Sequence, residues 1–190
     1  MKLFSKAKFK NSAGFTIIEL IIAIFILSFS ILGVYNAFSV VIILTHGATD
    51  RFTAAYLAQE GLEIIRNIRD SNWIDGAADW TRSIQDFQNG CEADYTTGTD
   101  VPGAKPFTPW TGGEDGGNYL RIDRDGFYSY KPMGSGTLET KFKRKITITL
   151  LSDYIMKVSV LVTWDEKPNI LNPTGEVGSI EAEETLYNWY

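Results

Sequence analysis

Apolar and polar positions divide the chain into three regimes. From Leu20 to Leu44, 25 consecutive residues carry no formal charge. As an α-helix such a run rises about 1.5 Å per residue to roughly 37 Å, enough to cross a ~30 Å hydrocarbon core with some tilt. Beyond it the apolar residues become periodic. Leu57, Gly61, Ile64, Ile65 and Ile68 recur at i, i+4, i+7, i+8 and i+11, one stripe of a helix. Asp50, Arg51, Glu60, Glu63, Arg66, Arg69 and Asp70 fall mostly on other faces. No proline occurs before Pro102, and Asp70-Ser71-Asn72 is the expected stop. One helix from about Thr16 to Asp70, roughly 80 Å long, is therefore expected, its outer half laid on the apolar face of a sheet formed by the later residues.

The third regime has period two. Tyr119-Leu120-Arg121-Ile122 and Phe127-Tyr128-Ser129-Tyr130 flank Asp123-Arg124-Asp125-Gly126, and Asp-Gly between two short apolar runs signals a hairpin. From Lys141 to Leu151, Ile146, Ile148 and Leu150 alternate with Thr147 and Thr149; after Ser152-Asp153, Met156, Val158, Val160, Val162 and Trp164 alternate with Lys157, Ser159 and Thr163. Two such runs across a tight polar turn predict an antiparallel pair. A weaker final strand runs from Ile180 to Trp189. Trp73 to Asn118 reads least clearly: Trp80, Ile84 and Phe87 suggest a short helix, and Gly112-Gly113-Glu114-Asp115-Gly116-Gly117 a loop. The expected fold is α+β, a long N-terminal membrane-spanning helix packed on an antiparallel β-sheet of about four to five strands in meander order.

Charge orients the apolar run. Lys2, Lys6, Lys8 and Lys10 precede it without an acid, and the first charges after it are Asp50 and Arg51. The lysine excess places the amino end in the cytoplasm and everything after Leu44 outside. A secretory signal would have a core of about 7–15 residues with a small-residue cleavage site behind it; this run is longer, and Tyr35-Asn36-Ala37-Phe38 is a poor site. Glu19 stands at the mouth of the run, where an acid is costly to bury in lipid and therefore marks a functional site. Its natural partner is an α-amino group, which would exist there only if the chain were cut after Gly14. The helix dipole helps the carboxylate by roughly 0.3–1 kcal/mol when exposed, and the new amine would also lie one turn away on the same chain.

A short basic leader ending in Gly14, then Phe15, then Glu19 four residues on resembles the type IV prepilin family, which includes the pseudopilins of type II secretion and the competence pilins. The resemblance implies cleavage between Gly14 and Phe15 by a prepilin peptidase/methyltransferase facing the cytoplasm, N-methylation of Phe15, and pairing of Glu19 with the terminal amine of a neighbouring subunit. It covers about 30 residues, with the helix-then-strands layout following the family more loosely. It implies a pilin-like division: basic leader 1–14, transmembrane and polymerisation helix 15–45, amphipathic continuation 46–72, variable connecting region 73–118, antiparallel head 119–190. Major pilins often carry a proline and a glycine in the membrane half of the helix; Asn36 and Ser28 stand at the matching positions here, which leans towards a minor pilin or pseudopilin. Ser28, Ser30, Gly33, Asn36 and Ser39 read either as tolerated membrane-helix composition or as a packing face for neighbouring subunits.

Composition narrows the chemistry. Removing the four leader lysines from 18 basic residues against 23 acidic ones leaves a mature formal charge of −9. That acidity argues against nucleic acid as a partner, and Lys141-Lys143-Arg144-Lys145 reads as a solvated strand end. Cys91 is the single cysteine, so no intrachain disulfide forms, and a buried or reduced thiol is expected. One cysteine and one histidine, His46, supply neither a usual zinc site nor a Cys-His nucleophile pair. Asp123-Arg124-Asp125-Gly126 lacks EF-hand spacing, as does the acidic loop at Glu114 and Asp115. No catalytic, cofactor-binding or metal-binding residue is assigned.

The expected function is that of a structural subunit of a type IV pilus-like filament, a minor pilin, and not an enzyme. Its implied partners are the processing enzyme, other pilin subunits in a helical filament, an inner-membrane assembly platform, and membrane lipid before assembly. The expected location is the cytoplasmic (inner) membrane, single-pass with the head outside, and then a cell-surface or periplasmic filament. A type II secretion pseudopilin is the alternative within the family. An uncleaved, membrane-anchored binding or hydrolytic domain is the alternative of another class.

Overall fold

The computed structural model describes residues 14–84, 87–98, 107–113, 116–132, 136–166, 168 and 173–189. The leader lysines, Glu114 and Asp115 lie outside the described residues. A single helix, α1 (Ile17–Ile74, 58 residues), contributes to two compact units, one ending at Thr45 and one from His46 to Tyr190.

In the first unit the helix is exposed all round. Phe15, Ile21, Phe25, Phe29, Leu32, Phe38 and the other large apolar side chains face outward, and the segment is long and apolar enough to cross a membrane with none of its most apolar stretch buried. An uncharged run without a polar stripe has no face to turn to water, and among the described residues of this unit there is no second element for it to pack on.

The second unit is built on the stripe that begins where the uncharged run ends. Ala54, Leu57, Ala58, Gly61, Ile64, Ile65 and Ile68 of α1 are buried. The strands are β1 (Cys91–Glu92), β2 (Thr108–Pro109), β3 (Tyr119–Ile122), β4 (Tyr128–Ser129), β5 (Leu138–Ser152), β6 (Ile155–Asp165) and β7 (Val177–Tyr187). All pairings are antiparallel. β5 is the hub: β6 runs along one edge, with Ile146 opposite Val160, and β3 and then β1 along the other. β7 lies on the far side of β6, so β5, β6 and β7 do follow in meander order. The other edge does not, because β3 and β1 both pair with β5, and β1 and β2 from the connecting region bring the described strands to seven rather than four to five. The period-two alternation sets the core: Phe142, Ile146 and Ile148 of β5 and Met156, Val158, Val160, Val162 and Trp164 of β6 are buried with Leu186 and the helix stripe. A Cβ on Gly61 would sit 2.8 Å from Val160 Cγ1 and 3.2 Å from Arg144 Cδ. Glycine there lets helix and sheet close to backbone distance.

Four further expectations need correction. The helix runs past Asp70-Ser71-Asn72 to Ile74. Gly76, at φ +67°, ends it: its amide donates to Trp73 O (3.1 Å) and that of Ala77 to Asn72 O (2.9 Å), the Schellman arrangement. Asn72 sits inside the helix, fully buried, because its side-chain amide donates to Trp80 O (3.0 Å) and Arg82 O (2.9 Å). The described residues around Trp80, Ile84 and Phe87 form turns rather than a helix, since Asp79 Oδ1 accepts from the Thr81 amide and hydroxyl and Ser83 takes φ +68°. Leu150 is 39% exposed instead of continuing the buried row. The ladder shifts register between Leu150 and Ser152, and Leu150 lines an open groove with Trp80 and Tyr154. Finally, Arg144 is no part of a solvated strand end; it is fully buried.

Candidate functional site

At the amino end, backbone chemistry decides where the helix begins. Gly14, Phe15 and Thr16 are non-helical. Thr16 Oγ1 accepts the amide hydrogen of Glu19 at 3.3 Å, and Thr16 O accepts that of Leu20 at 3.1 Å. Thr16 is therefore the N-cap, its side chain satisfying a donor that has no partner within the helix. Glu19 falls at the third helical position, exposed, where the positive end of the helix dipole favours a carboxylate. Gly14, Phe15 and Glu19 thus lie together at one helix start, with Phe15 81% exposed. Gly14 has an ordinary φ, and a Cβ on it would meet nothing within 4 Å. Among the described residues nothing requires glycine there. The capping role of Thr16 is a feature the periodicity did not reveal; the Thr-x-x-Glu spacing was its signal.

The hydroxyls in the apolar half turn inward on the helix itself. Ser28 donates to Ile24 O (2.8 Å), Ser30 to Ile26 O (2.8 Å), Ser39 to Tyr35 O (3.0 Å) and Thr45 to Val41 O (2.8 Å). Each donor is satisfied four residues back, which removes most of its cost in an apolar surrounding.

In the second unit the polar residues tie segments together. Arg144 Nη1 donates to Leu57 O (3.0 Å) and lies 3.2 Å from Glu60 Oε2, while Nη2 donates to Ala93 O (2.6 Å). One guanidinium joins helix, sheet and connecting segment. Lys141 pairs with Asp50, and Lys143 and Lys145 lie over the rings of Tyr119 and Trp110 at 4.7 and 5.8 Å. The alternation that buries Phe142, Ile146 and Ile148 also predicts Arg144 to face inward; reading the basic run as a patch concealed it. Cys91 is buried, its thiol donating to Ile146 O at 3.4 Å, and burial, with help from Glu92, pushes that thiol up to about 12. That is the opposite of an activated nucleophile. Asp123 Oδ1 accepts the amides of Asp125 (3.0 Å) and Phe127 (2.9 Å) and Oδ2 faces Lys131 Nζ at 3.4 Å. The Phe127 amide above all, then that of Asp125 and Lys131, hold this carboxyl below its usual range, so it shapes the β3–β4 turn. His46 is exposed. Among the described residues no three of His, Cys, Asp and Glu are placed to hold a metal ion.

Neither the curated proteins nor the solved structures contain a match to this chain. The family described as the prokaryotic N-terminal methylation motif matches residues 9–35, a span that holds Gly14, Phe15, Thr16, Glu19 and the start of the exposed helix. With this motif on one long apolar helix followed by an antiparallel sheet, the chain carries the hallmark of type IV pilin and pseudopilin precursors.

Proposed function

We propose that the chain is a structural subunit of a type IV pilus-like filament, a minor pilin, cut between Gly14 and Phe15 and N-methylated at Phe15. The observation that carries this reading is the methylation motif at residues 9–35, which sets Gly14, Phe15 and Glu19 at the start of the exposed apolar helix. Gly14 and Phe15 are non-helical and exposed there, so the bond between them lies within reach of a peptidase. The motif at residues 9–35 marks a structural family, and the chain is the substrate in that step. Phe15 to Leu44 then exposes an apolar surface with nothing in its own unit to cover it. Lipid covers it before assembly and the helices of other subunits afterwards, on an inner-membrane platform. The lysine leader keeps the amino end in the cytoplasm during insertion. Asn36 and Ser28 stand where major pilins often carry a proline and a glycine, which favours a minor subunit.

Glu19 is the assembly residue in this reading. The cut leaves a cationic amine at Phe15 that loses its water as the subunit joins the filament, and a buried charge needs a partner. The Glu19 carboxylate of a neighbour supplies it and sets the register. Mass spectrometry of the protein from its native membrane tests the processing: the expected mature end is methylated Phe15, and a chain that retains Met1 while performing its task would overturn the reading. Proteomics of sheared surface filaments tests the pilus assignment, with recovery of the chain expected.

A further inference from the structure

We infer that Thr16 is a positioning residue for processing: by capping α1 it holds the Gly14–Phe15 bond outside the helix, where an enzyme can take it. The inference rests on the cleavage proposed above. A peptidase binds its substrate in extended backbone, with amides and carbonyls free to pair with the enzyme; a bond inside a helical turn offers neither. Here the first helical hydrogen bond is received by Thr16 O, and Thr16 Oγ1 closes the turn on the Glu19 amide. The helix therefore starts at Ile17, and Gly14 and Phe15 stay non-helical and exposed.

The cap matters because other starts compete. Gly14 is itself a tolerable N-cap, and the sequence offers Ser12 two residues before it. A start at Gly14 would make Phe15 the first helical residue; a start at Ser12 would make it the third. Either shift draws the scissile bond into the first turn. Ile17, Ile18 and Leu20 propagate a helix without regard to its start, so the choice of first residue falls to the cap. A threonine one residue past the cut thus does in the substrate what a cleft cannot do alone: it presents the bond in the conformation that is cleaved.

The test uses the full-length chain in detergent micelles with a prepilin peptidase, following release of the leader by mass spectrometry. Wild type must be cut after Gly14; if it is not, the proposed function fails before the inference is reached. Thr16→Val keeps the shape but loses the oxygen, and its kcat/KM is expected to fall about fivefold, the equilibrium shift that loss of one ordinary cap produces. Thr16→Ser and Thr16→Asn, which cap through differently placed oxygens, are expected within about twofold of wild type. Either earlier start would pair the Ile18 amide with Gly14 O, a bond the start at Ile17 does not make, so hydrogen exchange of the Ile18 amide in the uncut chain should slow in Thr16→Val and recover in both caps. Cleavage of Thr16→Val at the wild-type rate overturns the inference, as does unchanged Ile18 exchange. So does rescue by serine but not asparagine, which would mean direct contact between the hydroxyl and the enzyme.

Discussion

Arg144 occupies a place in β5 that an aliphatic side chain would fill. Its guanidinium is wholly out of water; the two Nη groups donate to the carbonyls of Leu57 and Ala93 with the Glu60 carboxylate beside them, while Nε is left without an acceptor among the described residues. Removing it leaves a cavity and two carbonyls with one partner fewer. Arg144→Ala is expected to destabilise the sheet unit by roughly 3 kcal/mol, and Arg144→Met by less, because it refills the space. Lys143→Ala on the opposite face is expected to cost under about 1 kcal/mol. Denaturant melts of the three variants, read by tryptophan fluorescence, check the order. Cys91 gives a pH test. Its thiol is held protonated in the folded chain up to about 12 and ionises near 9 when unfolded. The unfolded state therefore loses its proton first, and stability falls as pH rises from about 9 towards 12. Cys91→Ala should show a shallower decline over the same range in parallel thermal melts.

At the level of elements, two glycines do opposite things. Gly76 ends α1 in a left-handed conformation, φ +67°, with open space where a Cβ would go. Its replacement by alanine is strained in the backbone alone, and Gly76→Ala is expected to cost about 1 kcal/mol in thermal unfolding, with Gly76→Asn nearer wild type. Gly61 lies within the helix, where alanine would ordinarily be favoured by about 1 kcal/mol. Here Val160 Cγ1 stands 2.8 Å from the new methyl, so the sign reverses. Gly61→Ala is expected to lose roughly 1–3 kcal/mol, and Val160→Ala in the same chain to recover part of the loss. If the double variant is no more stable than the sum of the two losses predicts, the close approach is not what glycine serves.

For the whole molecule, the two units ask for different surroundings. Residues 46–190 bury their own apolar stripe, whereas the helix before Thr45 presents aromatic and aliphatic side chains on every face. Folding of the sheet unit and assembly through the apolar helix should therefore separate. Glu19→Ala is expected to be processed and to leave the thermal midpoint of the sheet unit unchanged, while its recovery in sheared filaments falls at least tenfold. The outcome that would sink the assembly role is a Glu19→Ala subunit incorporated at wild-type levels.

Much of this was readable from residue order. The uncharged run, the 3.6-residue stripe from Leu57 and the alternations of β5 and β6 are local patterns, and local geometry makes them one long helix and a pair of half-buried strands. The amino-terminal motif was legible for the same reason: Gly14, Phe15 and Glu19 are neighbours in sequence. Local pattern also misled where distant partners intervene. Asn72 looked like a stop until Trp80 and Arg82 supplied carbonyls for its amide. Trp80, Ile84 and Phe87 had helical spacing, but the indole of Trp80 donates to Asp153 O across the sheet end. Arg144 looked like surface because the helix that receives it lies more than 80 positions away. The order of residues determined the long helix, the β3–β4 hairpin, the β5–β6 pair and where the amino-terminal motif sits, but not β1 and β2 or the turns after the helix. Which edge of β5 takes β1 and β3, and which carbonyls and carboxylate receive Arg144 once the alternation turns it inward, depended on tertiary contacts, because a hydrogen-bond partner far along the chain leaves no periodic trace.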